Sequence, residues 1–168
     1  MPDMPDPTTA APKVRRITLA LYWGSLVLGF VLPWIMMVAA DAFRRQVSLA
    51  KASARFMDAF HIRLFAPGES ILFSALLGLA PFAVYAVFTL LHLGRSPRLG
   101  AAVVRRRLLG VGFAAVAMIA VSVWGHFAIL TARGSTAAIG FIFLPFYTVI
   151  AMALGYGLGR LVARWRTG

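Results

Sequence analysis

The sequence predicts an all-α integral membrane protein, a four-helix transmembrane bundle with one outer amphipathic helix between the first two spans. Three observations lead there. The 168 residues are 61% hydrophobic and only 13% charged, with a mean hydropathy of +0.83. A soluble domain carries roughly 45–50% apolar and about 25% charged residues, so a soluble fold could not hide this much apolar surface. Four runs, 17–40, 70–93, 108–131 and 137–158, contain no Asp, Glu, Lys or Arg, and each exceeds the ~18 residues that mark a transmembrane helix. Lipid forces backbone groups to pair within a segment, so helices are the spans these lengths allow.

Residues 1–16 read as a disordered cytoplasmic tail. Pro2, Pro5, Pro7 and Pro12 interrupt any periodicity, and Lys13, Arg15 and Arg16 stand directly before the first span. Residues 17–166 then form a single four-span domain. The first span is much longer than the ~7–15 residues of a signal-peptide core. It therefore reads as an uncleaved anchor, despite the small-x-small string Ala40-Asp41-Ala42.

The loop after it is patterned. Phe43, Val47, Ala50, Ala54, Met57 and Phe60 recur at steps of three and four, with Arg44, Arg45, Lys51, Arg55 and Asp58 between them. That spacing predicts an amphipathic helix over about 41–60, suited to a membrane surface or a partner protein. Ala66-Pro67-Gly68 ends the segment as a turn, and Glu69 and Ser70 suit the start of the second span.

Orientation follows from basic residues. Eleven of the seventeen Lys and Arg lie in the amino tail, the 94–107 turn and the carboxyl tail, and six lie in the other two loops. The positive-inside rule then puts both termini in the cytoplasm, in a bacterial inner (plasma) membrane. The same rule, with anionic headgroups as partners, accounts for the net charge of +12 without nucleic acid.

Two patterns inside the spans bear on function. Three spans hold a proline followed by an aromatic: Pro33-Trp34, Pro81-Phe82 and Pro145-Phe146. Gly29, Gly78 and Gly140 come three to five residues earlier. Three kinks at one level would open a pocket, or else only shape packing. In the last span Ala151, Gly155 and Gly159 form a small-residue stripe that lets another helix come close, in this chain or a second copy.

Chemistry is scarce. The chain has no cysteine, and its three histidines, His61, His92 and His126, do not all fall at one depth. The hydroxyls and phenols within the spans (Ser25, Ser74, Tyr85, Thr89, Ser122, Tyr147, Thr148) suit hydrogen bonds between helices more than catalysis. No carboxylate sits in a span to couple ions. The expectation is a protein without enzymatic activity, cofactor or metal. It would act by binding, as an accessory, assembly or protective subunit of another membrane protein. The alternative is a small uncoupled oligomeric transporter or channel.

Overall fold

The computed structural model describes residues 7–65, 70–95, 100–132 and 137–165. Five helices make up almost all of them: α1 (Pro7–Arg45), α2 (Leu49–Arg63), α3 (Ile71–Gly94), α4 (Ala101–Thr131) and α5 (Ala137–Trp165). No strand occurs among the described residues. All but α2 are long and apolar enough to cross a membrane.

The helices outrun the apolar runs. The 39 residues of α1 extend about 58 Å at 1.5 Å per residue, nearly twice the ~30 Å of a hydrocarbon core. The tail expected over 1–16 is thus helical from Pro7, where a proline in the first turn costs no hydrogen bond. Likewise Arg105, Arg106 and Arg107 lie on the first turns of α4 and not in a turn before it.

The amphipathic segment expected as one helix over 41–60 is two pieces. Its first residues complete α1. Gln46 then takes a left-handed φ of 53°, and Ser48 starts α2 by accepting the Lys51 N–H through its hydroxyl. Breaking the helix shifts the phase. Ala52, Phe56 and Ala59 turn inward, while Ala50, Ala54 and Met57 are exposed. At the other end of α2, Ser70 Oγ donates to the Leu64 carbonyl at 2.8 Å and accepts the Phe73 N–H at 3.1 Å, tying the start of α3 to the end of α2. The turn 66–68 and Glu69 lie outside the described residues.

The long helices pack as two close antiparallel pairs, α1 with α3 and α4 with α5. Glycine makes both possible. A Cβ on Gly29 would stand 2.6 Å from Phe82 Cβ, and one on Gly78 would overlap the Pro33 ring. Each helix of the first pair therefore receives a bulky residue of the other. In the second pair Gly125 receives Leu144, Gly140 receives Ile129 and Gly110 receives Tyr156. Gly155 and Gly159 lie against α4 backbone itself, 2.6 Å and 2.7 Å from the carbonyl oxygens of Phe113 and Leu109 to an added Cβ. Phe82, Tyr85, Leu93, Val111, Ala114 and Met118 form the shared core, joined by Leu32, Met36 and Met152.

The polar groups in the spans behave differently from expectation. Most bond back along their own helix: Thr18 to Val14 O, Ser25 to Tyr22 O, Ser74 to Ser70 O and Thr148 to Leu144 O. Such bonds satisfy a buried hydroxyl with no partner helix. Tyr85 instead reaches across, donating to Val111 O at 3.2 Å.

Candidate functional site

At one end of the molecule α1 finishes, α3 starts, α4 finishes and α5 starts. The α2 helix lies over that end, held at both of its ends. Trp34 of α1 stacks edge-on against Phe60 of α2 with centroids 5.5 Å apart, and its Nε1–H donates to Ile71 O of α3 at 3.4 Å. Phe43 meets Phe127 at 5.3 Å, and Arg44 donates to Leu130 O at 3.4 Å, so α1 and α4 are fastened side by side.

Between α2 and this end lies a cleft of about 880 Å³. Its volume falls in the ~300–1,000 Å³ range of ligand sites. The lining divides by chemistry. Among the described residues Arg44, Arg45, Arg55 and Arg63 are its cations and Asp41 is its one acid. Met37, Phe56, Ile71, Phe73, Leu77, Leu130 and Phe141 are its main apolar surface. Met37 lies seven residues before Arg44 on α1, so the apolar floor runs about 10 Å deeper than the charge. Arg45 is engaged by Asp41 at 2.6 Å, a pair on one helix face that fixes its direction. Arg55 is exposed and has no hydrogen bond or ion pair among the described residues.

The residues singled out in the sequence fall on both sides of this cleft. Arg44, Arg45 and Arg55 line it. Lys51 is exposed on α2 outside it, Val47 sits in the break between helices, and Phe43 faces α4. The prolines lie elsewhere. Pro33, Pro81 and Phe82 are buried in packing, while Phe146 is 64% exposed. Pro81 and Pro145 meet at a void of only about 10 Å³, lined also by Ser122, His126 and Thr148. The opening is therefore at the helix ends and not at the proline level, because the glycines before the prolines are filled by neighbouring side chains. Ala151 is half-buried, and Gly155 and Gly159 are spent on α4 of the same chain.

The histidines are separated. His61 is exposed on α2. His126 is buried, with Nδ1 2.7 Å from Ser122 O. His92 lies at the opposite end of the molecule, where its Nε2 shares a short hydrogen bond with Tyr156 OH and its carbonyl accepts from Arg107 at 2.7 Å. Arg160 donates to the same phenol at 3.4 Å, and Phe88 stacks on His92. Among the described residues no three of His, Asp and Glu gather as a metal site would require.

Arg63, Ser70, Phe73, Leu77 and Phe141 of the cleft had not been singled out as site residues. One signal was available: Ala52, Phe56, Ala59 and Arg63 recur at steps of four, three and four, which is the inward face of α2. Comparison with protein-family models, characterised proteins and solved structures gives no match.

Proposed function

We propose that this chain acts by binding at the membrane surface, through the cleft that α2 covers, as an accessory, assembly or protective subunit of another membrane protein. The cleft carries this reading. It is an open amphipathic cavity in a molecule whose spans are otherwise closely packed. The basic residues support a bacterial inner membrane orientation with both termini in the cytoplasm and α2 outside. Several hydroxyls of the spans bond along their own helices, and the spans hold no carboxylate, which leaves them poor equipment for hydrolysis or ion coupling.

The test is purification from native membranes in mild detergent, with particle mass and co-purifying proteins determined together. A stoichiometric foreign partner is expected. A bare homo-oligomer would move the weight to the second reading, an uncoupled transporter or channel. That reading has one observation in its favour: Leu77 and Phe141 line both the cleft and the small void at His126, so turning these two side chains would join them. Under it alone, Pro81→Ala and Pro145→Ala would alter flux in liposomes.

A further inference from the structure

The α2 cleft separates charge from apolar surface along one direction, and that separation describes its occupant. Its arginines come from the end of α1 and from α2. Arg44 is on the last turn of α1, immediately beyond the apolar run that ends at Ala40, which is headgroup level for a helix that crosses the membrane. Below it the floor descends about 10 Å along α1 through Met37, with Leu77 and Phe141 facing it from α3 and α5. Exposed Phe73 and Phe65, at 59% and 72%, mark where the cleft is open.

A soluble anion would satisfy the arginines and leave the floor wet. A neutral apolar molecule would fill the floor and leave Arg44 and Arg55 without an acidic partner among the described residues. An amphiphile with a negative head satisfies both, and the bilayer supplies one at this depth. Guanidinium groups bind phosphate oxygens through paired N–H donors. Each buried methylene of an acyl chain adds to the affinity. We propose that the cleft holds one anionic phospholipid, its phosphate between Arg44 and Arg55 and one acyl chain against Met37, Leu77 and Phe141. The proposal rests on the reading of the cleft as the binding surface and makes the lipid part of that surface.

The test measures lipid retained by the full chain. Protein in nanodiscs of phosphatidylglycerol and phosphatidylcholine is extracted into mild detergent, gel-filtered and analysed by native mass spectrometry. The expected result is about one phosphatidylglycerol per chain, enriched at least tenfold over phosphatidylcholine. Arg55→Gln is expected to reduce that retention about tenfold. Its side chain is exposed and has no hydrogen bond or ion pair among the described residues, so folding is not at issue. Lys51→Gln removes an equal charge from α2 outside the cleft and is expected to change retention less than twofold. Equal losses in the two variants would overturn the proposal in favour of general surface charge. So would equal retention of the two lipids, or displacement of the lipid by millimolar inorganic phosphate. A stoichiometric protein partner crosslinked into the cleft, with no lipid retained, would also overturn it while leaving the binding reading intact.

Discussion

Substitution of the α5 glycines gives the sharpest test of the packing. At Gly155 an added Cβ would stand 2.6 Å from Phe113 O, 2.7 Å from Ala117 Cβ and 3.1 Å from Ala114 Cα. Ordinary carbon contacts lie at about 3.5–4.0 Å, so the helices must separate by roughly 1 Å. Two of the three obstacles are backbone atoms, which have no rotamer to escape into. Overpacking of this kind costs about 1–3 kcal/mol. Gly159 is equally tight, against Leu109 O and Gly110 Cα. On the same helix, Gly157 has nothing within 4 Å. There the change to alanine meets no obstacle and recovers up to ~1 kcal/mol of helix propensity. Thermal unfolding in detergent reads the difference. Gly155→Ala and Gly159→Ala are each expected to lower Tm by several degrees, at ~2–4 °C per kcal/mol for a chain of this size. Gly157→Ala should hold or raise it, and Gly155→Leu should do more damage than Leu154→Ala, whose parent side chain is 70% exposed. Equal, mild effects at all four positions would refute the close approach of α5 to α4.

Three further outcomes are expected. Ser70→Ala removes both the α3 cap and the bond to Leu64 O, and should cost about 1–2 kcal/mol while increasing protease cleavage between α2 and α3. Tyr85→Phe removes the phenol that reaches Val111 O from a fully buried site, and should cost about 1 kcal/mol in the same unfolding assay with no change in oligomeric state. The natural chain has no cysteine, so single-cysteine labelling is unambiguous. In intact cells Ser53→Cys on α2 should react with an impermeant thiol reagent and Arg105→Cys on α4 should not; the reverse pattern would invert the proposed orientation.

Composition revealed the four long helices because apolar runs free of charge have no other home. Their true lengths were less legible. An apolar run reports the part of a helix at membrane depth, and nothing in Lys13, Arg15 or Arg105 stops a helix from continuing beyond it. The break at Gln46 was hidden for a related reason. No glycine or proline marks it, and only Ser48, an N-cap residue type, signals the restart. Counting the stripe Phe43–Val47–Ala50 through that break therefore joined residues of two helices and passed over the inward face Ala52–Phe56–Ala59. The glycines before each proline were visible in the sequence, yet their purpose was not. Which side chain fills Gly29 or Gly78 depends on how α1 lies against α3, and Phe82 and Pro33 are about fifty residues away in the chain. The cleft was the least legible feature. Its walls come from the ends of five separate helices, and only the inward period of α2 left a trace in the sequence.

The central claim is that the protein binds through the cleft beneath α2. The most direct measurement is site-specific photo-crosslinking in native membranes from two positions on that helix. Ala59 lines the cleft and Ala54 is exposed outside it. A photoreactive residue at 59 is expected to give one discrete adduct, and the same residue at 54 to give none of that species. A discrete adduct from 54 with nothing from 59 would contradict the account and place the binding surface on the opposite face of α2.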